Sequence, residues 1–185
     1  MNHLGTVSLE TERLILRKFT KEDISAMFHN WASDAEVTKF LTWPAHSSME
    51  ITKMVINDWL SSYNQKDYYQ WAIALKSLGN KPIGTISIVH YSEDLNSVEI
   101  GYCIGRKWWH QGIMSEAFKA VITFLFEQVK VNRIAAKHDS NNPHSGDVMR
   151  KCGLKYEGTL RQAERNNQGI VDVALYSILA EDYFN

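Results

Sequence analysis

The stretch Glu99-Ile-Gly-Tyr-Cys-Ile-Gly-Arg-Lys-Trp-Trp-His-Gln-Gly-Ile-Met-Ser-Glu-Ala117 closes an alternating apolar run, turns through a loop and feeds the strongest helical periodicity in the chain. A helix starting there exposes free N–H groups and the positive end of its macrodipole, and Gly112 lets a phosphate approach the backbone, so a pyrophosphate suits this junction. The plainer reading, in which Gly112 only relieves a tight turn, fits the sequence equally well. Neither Gly-x-x-x-x-Gly-Lys-[Ser/Thr] nor Gly-x-Gly-x-x-Gly is present, so nucleotide triphosphatase and dinucleotide chemistry are unsupported. His3, His29, His46, His90, His110, His138 and His144 show no His-Glu-x-x-His or other ligand spacing, and no metal is expected. Cys103 and Cys152 lack a Cys-x-x-Cys pattern and read as two packed thiols.

Charge supports an anionic ligand locally rather than globally. The net charge is −1, which gives no overall field for nucleic acid or an anionic membrane, yet Arg106 to Lys155 carries 9 basic and 4 acidic residues. No basic-aromatic motif accompanies that stretch, which argues against nucleic acid. The 185 residues, 44% of them apolar, suit one domain spanning 1–185 with a sizeable core. No apolar run reaches the ~18 residues of a membrane span, and Glu10, Glu12, Arg13 and Arg17 interrupt any signal-peptide core, so a cytoplasmic protein is expected.

The elements that must position the junction follow from periodicity. Thr20 with Asp23 forms a partial capping box ahead of Ile24, Met27, Phe28 and Trp31, predicting a helix of about three turns. Ser47 with Glu50 opens a second, with Ile51, Met54, Val55 and Trp59 on one face and an end near Asn64. Arg13 to Phe19 alternates as a strand. Tyr69 to Leu75, Pro82 to Tyr91 and Val98 to Ile104 read as an antiparallel meander, broken at Gly79-Asn80 and Asp94-Leu95-Asn96. Phe118, Val121, Ile122, Leu125, Phe126 and Val129 mark the long helix after Gly112. Arg133 to His138 is a strand, Asn142-Pro143 an N-cap and first helical residue of a helix ending at Gly153, and Leu154 to Leu160 with Val171 to Leu179 a closing hairpin. The order β-α-α-β-β-β-α-β-α-β-β predicts an α+β domain: a mixed, mostly antiparallel sheet of about seven strands flanked by four helices.

Across nearly the whole chain the sequence resembles the GNAT acetyltransferase superfamily, in its ribosomal-protein N-terminal acetyltransferase (RimJ/RimL-type) branch. The resemblance is carried by Glu10-Thr-Glu-Arg-Leu-Ile-Leu-Arg17, Pro82-Ile-Gly-Thr-Ile86, Glu99-Ile-Gly-Tyr102, Trp109-His-Gln-Gly-Ile-Met-Ser-Glu-Ala117, Asn142-Pro-His-Ser145, Lys151-Cys-Gly-Leu154 and Tyr176-Ser-Ile-Leu179. The family signature Arg/Gln-x-x-Gly-x-Gly/Ala is altered here, with Trp109 first and Met114 last. The resemblance implies acetyl-coenzyme A as co-substrate, its pantetheine along Tyr102-Cys103-Ile104 and its pyrophosphate on Gln111, Gly112, Ile113, Met114 and Ser115. Acyl transfer to an amine needs a base, an oxyanion site and a proton for the leaving thiolate. By resemblance Glu99 is the candidate base, backbone N–H groups near Ile104 the oxyanion site, and Ser145 the candidate proton donor. Asn142 is a cofactor-orienting or capping residue, and Tyr102 and Tyr176 are alternative acids. Phe40, Trp43, Tyr68 and Tyr69 flank the segments that wall the acceptor site in this family.

The implied activity is transfer to a primary amine, either a protein N-terminus or a small amine, by a monomer or homodimer. A coenzyme A-binding module without turnover is the competing class, differing in whether Glu99 and Ser145 face a reachable acceptor.

Overall fold

Leu14 and Leu16, Trp71 and Ile73, and Val98 and Ile100 recur at every second position, and each is almost completely buried. That period puts them on one sheet face, and the stripe Ala117, Phe118, Val121, Ile122 and Leu125 packs onto it. The computed structural model describes residues 1–185. Its strands are β1 (Leu9–Glu10), β2 (Leu14–Arg17), β3 (Gln70–Leu75), β4 (Lys81–Ser92), β5 (Ser97–Ile104), β6 (Arg133–Asp139), β7 (Lys155–Asn166) and β8 (Gly169–Leu179). Their spatial order is β1-β2-β3-β4-β5-β6-β8-β7. Every neighbouring pair is antiparallel except β5 and β6, the ends of the single crossover.

The crossover runs through α4 (Ile113–Phe124), extended by a wider turn over Leu125–Val129. On the same face lies α5 (Pro143–Lys151). The opposite face carries α1 (Ile24–Met27), α2 (Ala35–Thr38) and α3 (Met49–Ser62), and α6 (Ala180–Phe184) closes the chain. Phe19, Met27, Trp31 and Ile56 form a smaller core between the sheet and α1 and α3.

The expected fold class holds, with local corrections. An eighth strand, β1, adds to the seven expected, because two residues are too few to show a period. The short helices α2 and α6 were missed for the same reason. Asp23 does accept from the Thr20 amide at 2.8 Å. The second helix, however, is preceded by Ser48 rather than Ser47, and Ser48 makes no side-chain cap. Its inner stripe is Thr52, Val55, Ile56 and Trp59, while Met54 is 71% exposed. Thr52 belongs inside because its hydroxyl pairs with buried His46 at 2.8 Å, a polar match that apolar periodicity does not reveal. Finally, β7 continues to Asn166, through residues that do not alternate because this edge strand is largely exposed on both faces.

Arg133 on β6 clamps Glu157 on β7 through two bonds of 2.7 and 2.6 Å, and Ser177 on β8 donates to the same carboxylate at 2.6 Å. The guanidinium bonds hold the Glu157 carboxyl at about 2, against the opposing effect of burial. Its folded pKa lies below the unfolded value of about 4.3, so its contribution is complete above that value and is lost as pH falls toward 2. Glu157→Gln is therefore expected to lower the urea midpoint at neutral pH and to converge with the wild type near about pH 2. A difference that is the same at both pH values would show that the clamp is not electrostatic.

Candidate active site

The site is built where the sheet divides. β5 and β6 pair only from Ser97–Arg133 to Glu99–Ala135 and then diverge. The Gly105 N–H turns back to Ile83 on β4 at 2.9 Å, so by strand alternation the amides of Tyr102 and Ile104 face the split. A cleft of about 290 Å³ opens there, lined by Tyr102, Cys103 and Ile104 of β5, the start of α4, the first turn of α5, Glu36 and Val37 of α2, and Lys39, Phe40 and Leu41 of the loop that follows it.

At its floor, Gly112 caps α4 in the left-handed conformation (φ 73°), and His110 is left-handed as well (φ 59°). The first intrahelical bond runs from the Glu116 N–H to the Gly112 carbonyl, 3.1 Å, so the Ile113, Met114 and Ser115 amides have no partner within the helix. The buried side chains of Ile113 and Met114 belong to the core, leaving their backbone to the cleft. Trp109, the aromatic departure from the family signature, donates its indole N–H to the Ile104 carbonyl at 2.9 Å and so ties the loop to the end of β5. The Gln111 side chain turns to the Lys107 carbonyl at 2.8 Å, and of the expected cofactor residues it alone does not line the cleft.

The α5 wall is set by close packing. Gly146 lies against His138 of β6: a Cβ there would come 2.7 Å from Nε2. This approach places Ser145 in the cleft. Asn142 does not cap the helix with its side chain; its amide donates to Ser145 Oγ at 3.0 Å. Tyr102 spans the split and donates to the Ser145 carbonyl at 2.9 Å, and burial pushes its hydroxyl pKa far up. Tyr176 is buried, accepts from Arg150 at 2.9 Å and stacks on His138.

Glu99 faces the other side. Val98 and Ile100 point into the α4 core, so alternation sends Glu99 to the opposite face. There its carboxylate meets Lys137 of β6 at 3.1 Å, and Lys137 also bridges to Glu164 of β7. Burial works against the Lys137 charge, but the bonds to Glu164 and Glu99 outweigh it and hold its ammonium pKa above the usual lysine value. Burial also pushes the Cys103 thiol up to about 12, so a thiolate nucleophile is not at hand for a covalent acyl intermediate. No His, Cys, Asp or Glu cluster is arranged to hold a metal ion, and no helix is long and apolar enough to cross a membrane.

Among the expected aromatic wall residues, Phe40 lines the cleft and Tyr69 is core. Trp43 rests on His46, and Tyr68 packs edge-on against Tyr63. Sequence reasoning missed Asn167 in the β7–β8 turn. Its side chain donates to the Thr38 and Trp43 carbonyls at 2.8 Å each, and its backbone N–H to Leu41, holding the loop that carries Phe40.

A mixed sheet divided between two parallel strands thus leaves unpaired β5 amides that lead to a glycine-capped helix N-terminus. A family model for the acetyltransferase (GNAT) domain matches residues 13–155, and the chain belongs to that family. It is an acetyl-CoA-dependent N-acetyltransferase. The chain is 32% identical to the uncharacterized N-acetyltransferase p20 of Bacillus licheniformis, over 95% of this chain and 98% of that one. It is 30% identical to the ribosomal-protein-serine acetyltransferase of Escherichia coli, over 74% and 75% respectively. The crystal structure of a GNAT-family acetyltransferase from Bacillus anthracis superposes with a TM-score of 0.82 at 27% identity, covering 95% of this chain and 99% of that one.

Proposed function

We propose that the enzyme acetylates a primary amine, a protein N-terminus or a small amine, by direct attack on the thioester, with Glu99 as base and Ser145 as proton donor. The observation that carries this reading is the placement of the two groups on opposite faces of the split sheet. Glu99 stands at the last β5–β6 pair on the face away from α4, and Ser145 on the α5 face. The amine approaches from the Glu99 side and its nitrogen bonds to the carbonyl carbon. Glu99, directly or through water, takes the ammonium proton. An outward amide near Ile104 is suited to hold the oxyanion. As the carbon–sulfur bond breaks, the Ser145 O–H passes its proton to sulfur and takes one back from solvent, to which Glu99 releases the proton it took; Asn142 donates to Oγ and leaves the hydroxyl hydrogen free. Tyr102 is the weaker acid candidate, because its proton is committed to the Ser145 carbonyl.

Two observations support a cationic amine as acceptor. Glu99 and Glu164 set two carboxylates on this face against the single Lys137 ammonium between them, which leaves its charge negative. The Escherichia coli relative is named for a ribosomal-protein serine, which favours a protein N-terminus. The test is acceptor-dependent release of free thiol from acetyl-CoA across a panel of N-terminal peptides and small amines, with the acetylated nitrogen located by mass spectrometry. Release with no member of the panel would overturn the reading. Ser145→Ala is expected to lower kcat by about tenfold or less, since a thiolate with a pKa near 8.5 leaves tolerably without help. A wild-type rate in that variant would remove Ser145 from the mechanism.

A further inference from the structure

We infer that Arg13, outside every element of the site described above, is a binding residue for the diphosphate of acetyl-CoA. The inference rests on the N-terminus of α4 being the diphosphate seat. Arg13 lies immediately before β2, far from α4 in sequence, yet its side chain is spent almost wholly on the loop that starts that helix. Its Nη1 donates to the Gln111 carbonyl at 2.9 Å, fixing the peptide just before Gly112. Its Nε donates to Glu116 Oε2 at 2.6 Å, while its backbone N–H and the Thr11 hydroxyl hold Glu116 Oε1 at 3.0 and 2.6 Å. Its Nη2 donates to no protein atom and is the one heavy atom within 4 Å of where a Gly112 Cβ would stand, at 3.7 Å.

Each of these contacts bears on an anionic ligand. Glu116 is a carboxylate in the first turn of α4, favourable to the helix dipole but repulsive to a diphosphate at the same helix end. Arg13 neutralises it. Although burial opposes it, the bonds from Thr11 and Arg13 hold the Glu116 carboxyl below the usual range, so the charge that needs neutralising is present. The Gln111 contact keeps the loop in the conformation that turns the Ile113 to Ser115 amides outward. The free Nη2 edge then adds a charged donor beside the glycine, in the planar geometry that suits phosphate oxygens.

The experiment compares two acetyl donors, acetyl-CoA and S-acetylpantetheine, which shares the thioester arm but lacks the diphosphate and adenosine. Arg13→Gln is expected to raise KM for acetyl-CoA about tenfold or more, the loss of one charge-assisted contact, with kcat little changed. Its kcat/KM for S-acetylpantetheine should match the wild type. Arg13→Lys keeps the charge but cannot reach Gln111, Glu116 and a ligand together, so it should show the same discrimination with a smaller loss, and it serves if Arg13→Gln fails to fold. An equal loss with both donors would make Arg13 a brace for the fold and overturn the inference, as would an unchanged KM for acetyl-CoA. If the wild type itself used both donors equally well, the diphosphate seat at α4 would fall, and Arg13's role with it.

Discussion

Glu99→Gln is expected to bind acetyl-CoA as the wild type does while turnover falls by about 10² to 10⁴, the range for loss of a general base. Gln keeps the shape of the side chain, and its amide oxygen can still accept from Lys137, so β5 and β6 stay joined at the split. The loss should shrink as pH rises. An acceptor α-amine, with a pKa of about 7.7 to 8.0, is mostly protonated at neutral pH and mostly neutral above about pH 9, where a base has less to do. The check is a pH–rate profile of both proteins beside a cofactor titration. A Glu99→Gln profile that overlays the wild type throughout would remove Glu99 as base.

Gly112→Val is expected to abolish cofactor-induced stabilisation in a protein that remains folded. In the wild type, acetyl-CoA at about 100 times its dissociation constant should add roughly 2.7 kcal/mol, a rise in melting temperature of roughly 5 to 10 °C. The physical reason is backbone conformation rather than space. Apart from Arg13 Nη2, a Cβ at Gly112 would meet nothing within 4 Å, but φ is +73° and a β-branched residue there is strongly disfavoured. Valine would therefore drag the loop out of the left-handed turn and re-aim the Ile113 to Ser115 amides. Gly112→Asn, which tolerates that conformation, should keep most of the shift. A full shift in the valine variant would return Gly112 to the role of an ordinary turn residue.

The elements that line the cleft were legible because their signals are local. The stripe from Phe118 to Val129 announces α4, Gly112 marks its start, and Asn142-Pro143 marks α5, all within a few residues of the groups they position. What was hidden depends on register between distant segments. Arg13 and Glu116 are 103 positions apart, and Asn167 reaches back 129 positions to Thr38. No periodicity relates such residues; only the finished sheet brings them together. Glu99 is an intermediate case: alternation told which face it takes, but not that Lys137 and Glu164 would be there to meet it. The misreading of α3 has a different origin: Ile51 and Met54 are apolar and correctly spaced, while the stripe that packs includes a threonine matched to a histidine six positions before it, a polar pairing that apolar periodicity does not register.

The short β5–β6 pairing has a mechanical consequence. β4 and β5 stay joined almost along their full length, as do β6 and β8, whereas β5 and β6 share only the rungs from Ser97 to Glu99. The sheet is thus two ribbons stitched by a brief seam, with α4 laid beneath as a backing strip. Cooperative opening should begin along that tear line, so amide exchange would divide the molecule into a β2–β5 unit and a β6–β8 unit. A substrate arm laid along the free edge of β5 would supply rungs that the polypeptide leaves out, so the stretch of the sheet that is weakest on its own is the stretch that such binding would splice.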